Sequence, residues 1–275
     1  MNARTGLCAI ALLVLPGCIT IAQTLPGEIV CDTDGATMKL IPAGGFTMGS
    51  EERTNQIPSH QVQLDAFYLD VNEVTHAQWK QFVVANPDWS KDRIDPALHD
   101  GKYLNHWDGD TYDERWDDYP IIFVSWHAAS AYAKWAGKRL PTEAEWERAA
   151  RGPEGWRFPY GDEYDETKAN TGYARGGPIS VGSFDLDSFG IADLSGNVME
   201  WCADWYSEDY YAASPAENPQ GPETGTSHVA RGGSWGYVGD RVGAAFRYHM
   251  TLPLGDGSCN DRLGFRCAMD VPEAQ

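Results

Sequence analysis

Three groups of residues in this chain of 275 have types and spacings that suit chemistry. Gly232-Gly-Ser234-Trp235-Gly236 matches Gly-x-Ser-x-Gly, the turn that presents a hydrolase nucleophile, and Asp240 and His249 follow it in triad order. That turn needs a strand before it and a helix after it. Tyr237-Val-Gly-Asp240 begins no helical pattern, so Ser234 is expected in a Gly-rich turn at a strand end and not as a nucleophile. Asp185-Leu-Asp187-Ser-Phe-Gly190 opens like a calcium loop, but Phe189 and Gly196 occupy two positions that must supply oxygen, including the bidentate Glu. Asp193, Asn197 and Glu200 lie close together among glycines, and hard oxygen donors on a kinked backbone suit Ca²⁺, although a solvated acidic loop has the same composition.

Soft and imidazole ligands are sparser. His60, His76, His99, His106, His127, His228 and His249 are dispersed with no pair at ligand spacing, so a three-His iron site would have to be assembled by the fold. No Cys-x-x-Cys or His-Glu-x-x-His occurs, and a zinc site is not expected. The chain carries 40 acidic and 21 basic residues, a net charge of −19, which excludes a nucleic-acid binder built on a basic patch. Its many Trp, Tyr and Phe supply ample material for a core, while 29 Gly and 16 Pro favour turns over long helices.

Arg4, the apolar run Leu7 to Leu15 and the small residues after it form a secretory signal, too short to span a bilayer. Leu15-Pro16-Gly17-Cys18 resembles the lipobox of bacterial lipoproteins, which makes residues 1–17 the signal and Cys18 the lipidated mature N-terminus. Cleavage after Thr20-Ile21-Ala22 is the competing route. Either route exports the chain to the cell envelope, and the only membrane attachment expected is through the lipid. Export leaves Cys31, Cys202, Cys259 and Cys267, for which one or two structural disulfides are expected with the pairing open.

Residues 18–36 read as a polar tether, 37–270 as one α+β domain and 271–275 as a tail. Met38–Ile41 and Phe46–Met48 around Pro42-Ala-Gly-Gly45 read as a hairpin, and 62–71 as one strand. Thr75 with Gln78 forms a capping box ahead of a helix over 76–85, and 86–118 reads as a long surface insertion without periodicity. Pro120–Val124 is a predicted buried strand, Ser125 caps a helix that Gly137 ends, and Thr142 with Glu145 starts another that runs to Arg151. Short strands between Gly, Pro and Asp fill the rest.

Seven segments then occur in a telling order: Ile41-Pro-Ala-Gly-Gly-Phe-Thr-Met-Gly49, Asn72-Glu-Val-Thr75 with Trp79, Val124-Ser-Trp126, Trp135-Ala-Gly-Lys-Arg-Leu-Pro-Thr-Glu-Ala-Glu-Trp146, Gly196-Asn-Val-Met-Glu-Trp201, Arg231-Gly-Gly-Ser-Trp235 and Leu263-Gly-Phe-Arg266. Together they resemble the formylglycine-generating enzymes, the sulfatase-modifying factors, over nearly everything from 38 to 269. The resemblance implies a single domain of C-type-lectin-like fold with little regular secondary structure. The family's oxidases convert a substrate cysteine to formylglycine with O₂ and a Cu(I) ion held by two cysteines just after the Gly-Gly-Ser motif. Tyr237 and Val242 fall about there, neither is a thiol, and Met199 replaces a Trp of the related motif, so copper chemistry is not expected. The family's calcium ligands match the side chains of Asp193 and Glu200 and the carbonyls of Gly196 and Val198, so structural calcium is expected. A second family calcium site begins at a residue matching Asn170, but the segment after it is shortened. These readings imply a calcium-braced non-oxidase lipoprotein that binds a peptide, glycan or envelope protein in a groove near Ser234, Trp235, Asp240 and Arg247. The alternative is a metal-dependent oxidase of protein cysteine.

Overall fold

The capping residues act where the sequence places them. In a computed structural model, which describes residues 25–249 and 255–272, Thr75 Oγ1 accepts from Gln78 N at 3.3 Å and Gln78 Oε1 accepts from Thr75 N at 2.9 Å. Two orphan amides of α1 (His76–Ala85) are thereby satisfied. Ser125 caps α2 (Trp126–Trp135), and the chain leaves that helix through Gly137 at φ +73°. Thr142 and Glu145 close a second box on α3 (Glu143–Arg151), which Gly152 ends at φ +65°.

The strands in chain order are β1 (Glu28–Val30), β2 (Thr37–Ile41), β3 (Gly44–Met48), β4 (His60–Leu64), β5 (Phe67–Asp70), β6 (Met199–Trp205), β7 (His228–Arg231), β8 (Tyr248–His249), β9 (Leu263–Gly264) and β10 (Ala268–Asp270). They form sheets in the orders β1-β2-β5-β10, β3-β4 and β8-β7-β6-β9. The first sheet joins both ends of the domain. Among the described strands, only β6 and β9 run parallel.

Several expectations need correction. The tether reading fails at β1, which pairs residue for residue with β2 within 18–36. The expected hairpin is two strands in different sheets: β2 pairs with β1 and β5, while β3 pairs with β4. Residues 62–71 are likewise two strands, broken before Phe67 so that each half serves its own sheet. Residues 120–124 form no strand: Pro120 bridges Thr75, Ile121 N donates to Val74 O, and Phe123 takes φ +58°. The stretch 86–118 is more than surface, because Ile94, Tyr103, Leu104 and Trp107 are buried in the core. Cys18 and the signal lie outside the described residues.

Two large apolar clusters divide the interior. One surrounds α1 and α2, where Trp79 stacks on Tyr132 at 5.5 Å and meets Phe265 edge-on. The other lies under α3, with Trp146, Ile41, Leu69 and Val229. Residues Glu143 to Ala150 of α3 are all buried despite their polar sequence. Its carboxylates are met by cations, all but Arg151 from outside the helix: Glu143 by Arg231 and Arg247, Glu147 by Arg151 and Arg231, and Glu145 by Arg139. A second ion cluster holds Lys138 Nζ at 2.8 Å from Asp34 and 2.7 Å from Asp70. Burial raises Asp70 to about 6 even so.

Candidate functional site

Two glycines fix the path of the segment 231–242. Gly232 and Gly233 have φ of +88° and +68°, and a Cβ at Gly233 would stand 2.3 Å from Arg241 O. Only glycine permits this return of the chain. Ser234 follows in the turn, fully buried, and the next helical element is the single 3-10 turn Gly239–Val242. Asp240 pairs with Arg53 and His249 stacks on Tyr206 at 3.9 Å, so no triad forms with Ser234. Arg247 lies inside, with Nε and Nη2 donating to Glu143 at 2.6 and 3.0 Å. Trp235 is 8 % exposed and donates to Asp261 O. The four groove residues expected from sequence are therefore held by different partners, three of them (Ser234, Trp235 and Arg247) buried and Asp240 at a surface ion pair.

The surface beside them is built differently. Gly172 N donates to Tyr237 O and Tyr173 N to Trp235 O, which pins the loop at 172–173 along the segment that carries Tyr237. Tyr237 is half-buried, its ring 6.2 Å from that of Tyr248; burial, then the neighbouring Tyr248 hydroxyl, push it up to about 12. The Arg262 guanidinium lies 5.4 Å over the Tyr173 ring and 5.0 Å over Trp235, and Nη2 donates to the Tyr173 hydroxyl at 3.3 Å. Arg241 lies 5.8 Å over Tyr237. Val242, the other residue at an expected cysteine position, is fully buried.

The cysteines do not compensate, and the expected disulfides are not present: Cys31, Cys202, Cys259 and Cys267 are free, buried thiols. Cys31 bonds Ala136 O, Cys202 lies in the cluster under α3, Cys259 bonds Gly257 O, and Cys267 lies beside Asp70 and Lys138. Burial pushes Cys202, Cys259 and Cys267 above the ordinary thiol range, which opposes thiolate formation.

The segment 193–200 is strongly kinked. Asp193, Gly196 and Asn197 take φ of +58°, +80° and +47°, and a Cβ at Gly196 would meet Asn170 O at 2.3 Å. Asn197 spans two elements: its Nδ2 donates to both oxygens of Glu73 at 3.1 and 3.2 Å, and its Oδ1 accepts from Ile179 N and Asn170 Nδ2. Glu200 is fully buried, doubly bonded to Arg266 at 2.7 Å and bonded to Trp146 Nε1 at 2.8 Å. Asp193 Oδ2 accepts from Gly182 N at 2.6 Å. Burial raises the carboxyls of Glu73 and Asp193, and the neighbouring carboxylates raise Glu73 further. Three carboxyl groups thus face one guanidinium. The charge suits a divalent cation, whereas both oxygens of Glu200 already serve other donors. Among the described residues, no three His, Cys, Asp or Glu side chains form a metal-holding group.

Two histidines, distant in sequence, do meet. His76 Nδ1 accepts from Trp107 Nε1 at 3.1 Å, and an indole can only donate, so His76 carries its proton on Nε2. That atom is 3.4 Å from His106 Nε2, which must then accept. A metal on His76 Nε2 would require a proton on Nδ1 facing the indole N–H, so the pair is a hydrogen-bonded relay and not a chelate. Burial lowers His76 to about 3 and His106 to about 4. Both line a cavity of about 240 Å³ with Trp116, Tyr119, Pro120 and Pro178. His228 is buried between Trp126 and Trp205, 3.7 Å from each ring. Sequence reasoning missed Glu73, Tyr173, Arg241 and Arg262 as neighbours of these sites; the last sits four residues from Arg266, with no local pattern to mark it.

Comparisons with known proteins agree with this architecture. The family model of the sulfatase-modifying factor enzyme 1-like domain matches residues 27–271, and the chain belongs to that family. The formylglycine-generating enzyme of Streptomyces coelicolor is 34% identical over 282 residues, covering 84% of this chain and 88% of that protein. Serine/threonine-protein kinase pkn1 of Chlamydia pneumoniae is 37% identical over 242 residues; 85% of this chain is covered, but the chain spans only 38% of the kinase. The structure of PvdO from Pseudomonas aeruginosa superposes with a TM-score of 0.74 at 26% identity, covering 90% of this chain and all of that one. The fold is the single-domain, C-type-lectin-like fold of the formylglycine-generating enzymes.

Proposed function

We propose that this chain is an exported binding or accessory domain, braced by Ca²⁺ and lacking copper oxidase chemistry, that captures a peptide, glycan or envelope protein on the surface around Tyr237. The observation that carries this reading is the pair Tyr237 and Val242. At the positions expected of two soft thiolates stand a phenol engaged with Tyr248 and Arg262 and an alkyl group in the core. Incubation with Cu(I), O₂ and a Cys-Thr-Pro-Ser-Arg peptide is expected to leave the cysteine intact. Aldehyde formation on the peptide overturns the reading in favour of an oxidase.

Asp193, Glu200 and the carbonyls of Gly196 and Val198 are the residues that would hold Ca²⁺, which would offset the excess of carboxylates around Arg266. Because an ion that binds only the folded state stabilises it by mass action, chelation or Asp193→Ala should lower Tm. An unchanged melting curve after exhaustive chelation, with no ion detected, removes calcium from the proposal. Export through residues 1–17 and anchoring through lipid on Cys18 complete it, and Cys18→Ser should release the protein from membranes.

A further inference from the structure

We infer that the surface around Tyr237 recognises a peptide carboxylate next to an apolar side chain, with Arg262 as the anion-binding group. The inference rests on the binding-domain reading above and names its ligand.

In a chain with 40 acidic and 21 basic residues, a guanidinium near the surface readily finds a carboxylate. Arg53, Arg139 and Arg157 do so, with Asp240, Glu145 and Glu52. Arg262 does not. Its nearest carboxylate oxygen, on the adjacent Asp261, is 3.8 Å from Nε, beyond hydrogen-bond reach, and Nε is buried without a partner. Arg241, over the other side of Tyr237, forms no ion pair among the described residues. A cation held between the Tyr173 and Trp235 rings keeps its charge and loses conformational freedom, so it is preorganised for an oxyanion.

An apolar rim adjoins this cation. Tyr173 is 56 % exposed and Val238 53 %, two of the few large hydrophobic residues that reach solvent. They are neighbours, since Val238 Cγ1 lies over Gly172, beside Tyr173. An exposed valine and tyrosine around a caged guanidinium match an apolar side chain carrying or adjoining a carboxylate. They suit an acidic sugar less well, because a sugar stacks on free aromatic faces: Trp235 is buried here and Tyr173 lies against the guanidinium.

The test uses the full-length protein and three probes in calorimetric titration: Ac-Ala-Ala-Phe with a free carboxylate, the same peptide as its C-terminal amide, and an oligogalacturonate. The acid should bind about tenfold more tightly than the amide, weaken with added salt, and lose its advantage in Arg262→Gln. Val238→Asp, a change at an exposed position that leaves the fold intact, should repel the acid and spare the amide. Equal binding of acid and amide, or no binding of either up to about 10 mM, overturns the inference. Preference for the oligogalacturonate overturns the peptide assignment. Aldehyde formation in the oxidase assay is a separate outcome that sinks the binding-domain reading, whereas an inactive protein indifferent to the carboxylate sinks only this inference.

Discussion

The interior arginines and the two that flank Tyr237 live under opposite conditions. Arg231, Arg247 and Arg266 are at most 2 % exposed, and every one is met by buried carboxylates at hydrogen-bond distance. Arg241 and Arg262 have ring faces beside them and, among the described residues, no carboxylate within that distance. Desolvation explains the first condition, because an uncompensated charge in the interior costs several kcal/mol. Near solvent, water carries that cost and an unpaired cation can wait for a ligand. The motif residues that mark the family, among them Glu143, Glu145, Trp146, Glu200, Trp201, Arg231 and Arg266, belong to the interior set or pack on it. Family resemblance in this chain therefore reports the scaffold, while the surface that would meet a ligand is where the sequence departs from the pattern.

That contrast can be broken at several strengths. Replacing Arg266 by Met should be the most damaging change, about 3–5 kcal/mol by denaturant unfolding, because Glu200 would be left buried beside Glu73 and Asp193 without its cation. A loss below about 1 kcal/mol would mean that the interior pairs do not carry the scaffold.

Acid should weaken the fold through His76 and His106. Their folded pKa values, about 3 and about 4, lie below the ordinary histidine value of 6.5, so their contribution is complete above pH 6.5 and is lost as pH falls toward 4. Each should account for roughly 2 kcal/mol by pH 4.5, and His106→Gln should flatten that limb of the pH–stability curve. The partly exposed bond between Arg139 and Glu145 should matter less, about 1 kcal/mol on Glu145→Ala, much of it from the lost capping box. Smallest of all, Arg262→Gln should leave stability within about 0.5 kcal/mol while altering ligand preference. A larger loss would move Arg262 into the structural set and erase the contrast.

Local chemistry made the helices legible. Capping residues act within one turn of where they stand, so Thr75 with Gln78, Ser125, and Thr142 with Glu145 predicted the starts of the three α-helices among the described residues. Strand partners depend on residues far along the chain, and there the reading went astray. The Pro42 to Gly45 turn looks like a hairpin because nothing local says that β2 will instead lie between β1 and β5. Residues 120–124 look like a strand because burial alone produces the same apolar run. Four cysteines in a chain read as exported suggest bridges, yet all four are free, buried thiols.

The sequence by itself determined the family, the fold, the caps and the want of thiols at 237 and 242, since each of these is written in residue identities and short spacings. Only the tertiary structure decided that His76 meets His106, that Glu73 joins Asp193 and Glu200 around Arg266, and that Arg262 is caged between Tyr173 and Trp235. In sequence His76 and His106 stand 30 positions apart, Tyr173 and Arg262 89, and Glu73 and Arg266 193. The energy of such a contact depends on burial and on what else is present, and neither is encoded in any one stretch of the polypeptide.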